Sequence, residues 1–164
     1  MQPPSSSEER GARTRRLVRS PAVLFASAVL LRLAAIAVIG SADRAQGLSA
    51  WSFGHEVACL AESILRGEVY GDPWGKGTGP SGWLTPVYPG FVAACLALCG
   101  GVGPCAAWFL FGVHALASAA TALVVGGIAR RIAGERAGIL AAWGFALHPL
   151  AIWYSAETVW DTTF

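Results

Sequence analysis

The chain has 164 residues, of which 54% are apolar and only 13% are charged. Soluble globular domains carry about 25% charged residues, so this composition excludes an ordinary soluble domain and indicates an integral membrane protein. The formal net charge is only +2, and a balance so close to neutrality does not point to nucleic acid as a partner.

The N-terminal part combines a polar tail with an apolar run. Residues 1–16 predict a disordered, basic cytoplasmic tail, ahead of a membrane domain that covers residues 17–164. Residues 21–40 predict the first span, because about 20 apolar residues are enough to cross a bilayer. A cleaved signal peptide with IGSA as its cleavage site is the alternative, but the apolar run is too long for one and further apolar stretches follow.

Arg32 lies in the middle of this first predicted span. A central arginine costs about 2.5–3.5 kcal/mol on insertion scales, so its surroundings matter. One interpretation is that Arg32 faces the bundle interior and pairs with an acid, a lipid phosphate or a backbone carbonyl. The other is that the helix slides and the side chain snorkels to the interface.

Residues 41–85 predict an outer loop that contains an amphipathic helix at 53–66. Apolar residues recur at helical spacing on one face, namely Val57, Leu60, Ala61, Ile64 and Leu65. Glu56 falls on the first turn, and Gly67 predicts the end of the helix. Such a helix is expected to lie in the membrane interface with its apolar face towards the lipid.

The sequence GKGT at residues 75–78 invites comparison with a phosphate-binding loop. The glycine spacing differs from that motif, Gly77 stands where the motif has Ser or Thr, and no predicted strand precedes it. We therefore expect a turn-rich loop and leave open whether its backbone contacts a ligand.

Three further apolar stretches follow, at 87–99, 105–129 and 137–155. The first is too short for a full span and predicts an interfacial or re-entrant helix, whereas the other two are long enough to cross a bilayer. The sequence therefore predicts an all-α fold, a polytopic transmembrane helical bundle with an interfacial amphipathic helix in its first outer loop.

Charge bias orients this bundle. Short cytoplasmic loops are rich in Lys and Arg, and three arginines follow the second long stretch: Arg130, Arg131 and Arg136. With three crossings, the N-terminus and these arginines are cytoplasmic and residues 41–85 lie outside a plasma (inner) membrane. If 87–99 also crossed, the arginines would lie outside, so we favour three crossings.

The cysteines and the histidine within the second long stretch are expected to be structural. Cys59, Cys95, Cys99 and Cys105 form no CxxC pair, and we expect small buried side chains, because a metal or redox site needs tighter grouping with histidine. His114 is expected to pack against, or hydrogen-bond to, a neighbouring helix.

Three segments carry a resemblance to a known family. They are WSFGHE at 51–56, TGPSGWLTPVYPGF at 78–91 and IARRIAGERAGILAAWGFALHPLAIWY at 128–154. In order and spacing they resemble the N-terminal part of the C-type membrane glycosyltransferases, in the bacterial branch akin to protein mannosyltransferases and lipid A aminoarabinose transferase. The resemblance implies transfer of a sugar from a polyprenyl-phosphate carrier to a lipid, glycan or protein acceptor on the outer face of the membrane.

The resemblance also implies two catalytic acids. Members of the family carry an acid in the first outer loop, usually in an Asp-Glu pair, and here the pair reads His55-Glu56. Asp161, in VWDTTF, resembles a second acid that related oligosaccharyltransferases carry in the next outer loop. Transfer to a hydroxyl independently needs a carboxylate that takes its proton or holds a metal on the leaving phosphate, which leaves a divalent metal open as a cofactor.

Three residues are assigned accessory roles: His55, Glu157 and Arg32. A solvated loop histidine is the alternative for His55, and Glu157 shares a helix face with Asp161 if a helix continues there.

The alternative function is a non-catalytic polytopic protein, such as a transporter or an assembly subunit. The acids gather in outer loops, which favours the enzyme. The abrupt end after VWDTTF suggests an N-terminal fragment, which we expect to be inactive alone.

Overall fold

The structure, a computed structural model, describes residues 18–42, 55–68, 70–82 and 84–157. Within these ranges the chain is helical or forms loops, without a strand, which confirms the all-α prediction. The main helices are α1 (Pro21–Ile39), α2 (His55–Leu65), α3 (Val87–Cys99), α4 (Pro104–Ala146) and α5 (Pro149–Ser155).

Two helices, α1 and α4, are long and apolar enough to cross a membrane, judged by length and composition. Their most apolar windows have mean hydropathies of 2.5 and 1.8 respectively. Helix α3 is apolar but shorter, as its sequence predicts.

The third predicted span, 137–155, is not a single helix. Helix α4 ends at Ala146 and α5 begins at Pro149. Proline lacks an amide hydrogen and disfavours the helical conformation of the residue before it, so the helix breaks at His148. Helix-breaking proline is tolerated in membrane spans, so the span at 137–155 stays a prediction.

The chain divides into two compact units. The first comprises Met1–Arg32 and Ala115–Ile152, and the second comprises Leu33–His114 and Trp153–Phe164. Each unit has buried apolar side chains of its own.

Helix α4 changes direction within the first unit, at Gly134. This residue has φ 86° and ψ 180°, which lies in the left-handed region that glycine adopts without steric cost. The break separates a long arm, 104–133, from a short arm, 135–146. It falls in the link that the sequence predicts after the second span.

The two arms of α4 lie against each other through glycines. A β-carbon added at Gly126 would lie 2.7 Å from the Ala142 β-carbon. One added at Gly138 would lie 2.7 Å from the Arg130 β-carbon. Both pairs are placed symmetrically about Gly134, so the arms form an antiparallel hairpin, which we call the glycine hairpin.

Small residues also form the rest of this core. Its buried members are Leu24, Ala28, Ala119, Ala122, Ala142 and Ala146. Alanine and glycine at facing positions let helix backbones approach closely, and such contacts hold helices together in a membrane, where the hydrophobic effect between helices is absent. The composition of the core therefore suits a membrane environment.

In the second unit, α2 packs against α3. Val57, Leu60 and Ala61 on the apolar face of α2 are fully buried. The sequence analysis expected lipid to cover this face. In the structure these three residues are covered by protein, whereas Leu65 on the same face is 46% exposed, so contact between lipid and the rest of this face stays a prediction.

Two of the four cysteines differ from the expectation of separate buried thiols. Cys99 and Cys105 form a disulfide, with their Cα atoms 5.6 Å apart. Cys95 is buried and Cys59 is half-buried, and neither takes part in a disulfide. The bridge closes the turn between α3 and α4, which the spacing of the cysteines does not reveal.

Candidate functional site

Glu56 lies on the first turn of α2. Its side chain is half-buried, although its neighbour Val57 is fully buried. The N-terminus of a helix carries the positive end of the helix dipole, which stabilises a nearby negative charge. The carboxylate thus combines access to solvent with a backbone held firmly by the packing of α2 on α3.

The opposite end of α2 is closed by a glycine turn and an ion-pair cluster. Gly67 has φ 69°, and its N–H donates to the Ile64 carbonyl at 3.0 Å, so the predicted stop is confirmed. Arg66 pairs with Glu68 at 3.0 Å and with Glu62 at 3.5 Å. The hydrogen bond from Arg66 lowers the pKa of Glu68. These contacts fix the direction in which the chain leaves α2.

A loop organised by Asp72 follows. The N–H groups of Lys76 and Thr78 donate to Asp72 Oδ1 at 2.8 and 3.1 Å, and the Thr78 hydroxyl donates to the same oxygen at 3.3 Å. The bond from the Thr78 N–H is the leading cause of the lowered pKa of Asp72. Backbone amides of the GKGT segment therefore already donate to a carboxylate of the chain itself. A phosphate could bind them only by displacing Asp72.

The Asp72 loop also lies beside α2. A β-carbon added at Gly75 would lie 3.4 Å from the Cys59 sulfur, at van der Waals contact distance. Burial is the main cause of the raised pKa of the Cys59 thiol, which therefore stays protonated and unreactive near neutral pH. The loop and α2 thus form one ordered surface.

The carboxylate of Asp72 is expected to be the group that keeps this loop closed. Asp72→Gly removes the carboxylate but suits the positive φ of 58° at this position. Trypsin should cleave after Lys76 faster in this variant, whereas cleavage after Arg66 stays unchanged. Asp72→Asn keeps an acceptor oxygen and should lie between the two. Equal cleavage after Lys76 in wild type and Asp72→Gly would contradict the assignment.

The effect of pH on this loop follows from the same contact. Because the pKa of Asp72 is lowered in the folded state, the carboxylate stabilises the loop above the ordinary pKa of an aspartate. That stabilisation is lost as the pH falls through the lowered value. The loop should therefore open only in acid below the usual titration range of aspartate.

A buried polar cluster lies in the second unit between α3 and the start of α4. The Tyr88 hydroxyl and His114 Nε2 are 3.4 Å apart, the two rings stack with centroids 5.9 Å apart, and Phe111 meets His114 edge-on. The expected bond from His114 to a neighbouring helix is confirmed. Its Nδ1 atom has no hydrogen-bond partner among the described residues. The sequence alone did not identify Tyr88 as the partner.

Arg32 is fully buried in the first unit. Its Nε–H donates to the Ser118 hydroxyl at 2.8 Å. Its Nη1 donates to the carbonyls of Ala28 and Ala146, at 3.1 and 3.2 Å. Of the two interpretations left open by the sequence, the inward-facing one is confirmed, with backbone carbonyls and a serine as partners. Nη2 is buried and has no partner among the described residues.

The remaining candidates are placed only in part. His55 begins α2. Glu157 is the last residue of the described range and belongs to the same unit as Glu56, whereas Asp161 lies outside the described residues. Within the described ranges no three His, Cys, Asp or Glu side chains are grouped as metal ligands.

Comparison with known proteins assigns no family. No family model, no curated protein and no solved structure matches the chain. The function is therefore argued from the residues and their geometry.

Proposed function

We propose that the chain forms the donor-side part of a polytopic membrane glycosyltransferase of the C-type. In this proposal a sugar passes from a polyprenyl-phosphate carrier to a lipid, glycan or protein acceptor on the outer face of the plasma membrane. Glu56 is the principal catalytic acid, and Asp161 is the second.

The position of Glu56 is the observation that supports this proposal most. A general base must be held on a rigid element yet reach a substrate hydroxyl. Glu56 meets both needs, since it is half-buried on a helix that packs against α3. Its first-turn position also suits the negative charge that a base carries before it accepts a proton.

The disulfide supports the proposed orientation. Disulfides persist on the oxidising side of a membrane and are rare in the cytosol. In the three-crossing arrangement the turn between Cys99 and Cys105 is outside, together with α2. If α3 crossed the membrane, the same turn would be cytoplasmic. The bridge therefore favours α3 as a helix that does not cross.

The orientation makes a prediction for thiol labelling. In intact cells, Cys99 and Cys105 should react with a membrane-impermeant maleimide only after treatment with an impermeant reductant. Ala129→Cys, in a chain without other cysteines, should react only once the membrane is permeabilised, because the neighbouring arginines are cytoplasmic in this proposal. Thr78→Cys is the matched outer control. Labelling of Ala129→Cys in intact cells to the level of Thr78→Cys would contradict three crossings.

The activity itself is tested in right-side-out membrane vesicles. Vesicles with the natural-length protein receive a radiolabelled, short-chain polyprenyl-phosphate sugar, and label that becomes covalently attached to envelope material is measured. We expect transfer that vanishes from vesicles lacking the protein. Equal transfer in both preparations would refute the proposal, and label that accumulates inside vesicles without attachment would favour transport.

The transporter alternative draws on Arg32, the charged residue within α1. Its Nε and Nη1 donors are used by Ser118 and by two backbone carbonyls of the first unit. A side chain with these contacts holds helices together, and this use favours a structural role over transport.

A further inference from the structure

The first unit contains an apolar groove. It has a volume of about 240 Å³ and lies between the start of α1 and the glycine hairpin. Leu24, Leu123, Ile139 and Trp143 supply much of its wall. This volume is below the roughly 300–1,000 Å³ of pockets that enclose a compact small molecule, so the groove suits a narrow, flexible chain.

Missing side chains shape the groove. Gly126 and Gly138 line it where the two arms of α4 touch. Gly127 lines it too, and a β-carbon added there would meet no atom within 4 Å. The space at Gly127 is therefore open, and a larger side chain at this position would enter the groove without disturbing the contact between the arms.

The rim of the groove carries a net positive charge. Two arginines, Arg19 and Arg130, and one acid, Glu135, line it. Arg19 pairs with Glu135 at 3.7 Å, whereas Arg130 is exposed and makes no ion pair with any residue that the structure describes. The Arg130 guanidinium thus lies at the edge of an apolar surface, where it can bind an anion.

Trp143 presents its ring and not its N–H to this space. The indole Nε1–H donates to the Val18 carbonyl at 3.0 Å, which ties the ring to the start of α1. The bound indole serves as a fixed apolar wall. The side-chain N–H donors left to contact a ligand in the groove are therefore those of the arginines at its rim.

We propose that this groove binds an anionic glycerophospholipid, with part of one acyl chain against Leu123 and Gly127 and its phosphate at Arg130. An apolar surface beside a basic side chain that makes no ion pair favours anionic lipids on the cytoplasmic side of a membrane. The site depends on the membrane orientation proposed above but not on sugar transfer.

The test uses the full chain in nanodiscs with photoactivatable phosphatidylglycerol or phosphatidylcholine, each with a diazirine in one acyl chain. Adducts are mapped by mass spectrometry. We expect phosphatidylglycerol adducts in 123–127 and 138–143, and few phosphatidylcholine adducts there. Gly127→Leu should remove most of them. Gly144→Leu is the matched control, because it is on the same helix, open within 4 Å and outside the groove.

The charge is tested separately. Arg130→Gln should weaken phosphatidylglycerol labelling about fivefold, the effect of one basic group at an anionic membrane surface. Arg131→Gln removes the same charge from the neighbouring residue, which does not line the groove, and should change labelling much less. Both glutamine variants keep a long side chain, so folding is preserved.

Three outcomes would overturn the proposal. Equal labelling by the two lipids would remove the preference for an anion, and unchanged labelling in Gly127→Leu would place the lipid elsewhere. Displacement of phosphatidylglycerol by farnesyl phosphate, at concentrations where added phosphatidylglycerol has no effect, would make the occupant an isoprenoid. None of these results depends on whether sugar transfer takes place.

Discussion

Glu56→Gln is expected to remove most of the transfer activity of the natural-length protein, by roughly 10²–10⁴-fold, which is the usual contribution of a general acid or base. The amide has the shape of the carboxylate but cannot accept the proton. Because Glu56 is half-buried on the surface of α2, the change should cost little stability. Transfer is measured in right-side-out vesicles, with protein amount and insertion checked by immunoblot.

Glu62→Gln is the matched control for this experiment. Glu62 is also an acid of α2, but it is exposed and pairs with Arg66, so its loss should leave transfer nearly intact. If Glu56→Gln retains normal turnover, the catalytic assignment is wrong. If both variants lose activity equally, the loss of activity comes from the reduced negative charge of α2 and not from the removal of one general base.

A shared site for Glu56 and Asp161 predicts non-additive losses. Asp161→Asn should also lower transfer, and the double variant should be scarcely worse than either single one. When two residues act as one unit, removing the second adds little to the loss caused by removing the first. Losses that simply multiply would show that the two acids act independently.

Gly126→Ala should lower the stability of the first unit. The added methyl would lie 2.7 Å from the Ala142 β-carbon and 3.0 Å from the Gly138 carbonyl oxygen. Both are too close, so the arms of the glycine hairpin must separate, at a cost of about 1–3 kcal/mol. Thermal unfolding of the detergent-solubilised protein, followed by circular dichroism, measures the change.

Two further variants make this measurement specific. Gly127→Ala, one residue along, meets no atom within 4 Å and should be neutral or slightly stabilising, because alanine favours helix. Ala142→Gly should partly rescue Gly126→Ala by removing the facing methyl group. If both alanine variants unfold at the same temperature, the close contact between the arms does not support the hairpin.

Much of the helical framework could be predicted from local sequence. The apolar run of α1, the stop at Gly67 and the link around Gly134 depend on neighbouring residues, and local physics decides them. Arg32 was also open to prediction as an inward-facing charge, since the N–H groups of a central arginine in an apolar helix must find hydrogen-bond acceptors. Its partner Ala146 was not, because it is 114 residues away.

The features that escaped prediction depend on tertiary contact. The bond between Cys99 and Cys105 needs the turn between α3 and α4. The burial of Val57, Leu60 and Ala61 needs the tertiary packing of the second unit, in which α2 contacts α3. In both cases a group that the sequence leaves without a partner finds one elsewhere in the protein. Asp72 likewise binds its own loop, a use that its sequence position does not distinguish from ligand binding.

The carbonyl of Ala146 that holds Arg32 has a consequence for biogenesis. In the proposed membrane orientation, α1 emerges from the ribosome 114 residues before this partner, which at 5–20 residues per second amounts to roughly 6–23 s. Ser118 is synthesised 86 residues after Arg32, so the guanidinium lacks both partners for the first part of this interval and Ala146 for all of it. The insertion machinery must therefore shelter α1, or leave it at the channel wall, until the second arm of the hairpin arrives. Release of α1 into lipid is thus coupled to synthesis of the last part of the first unit.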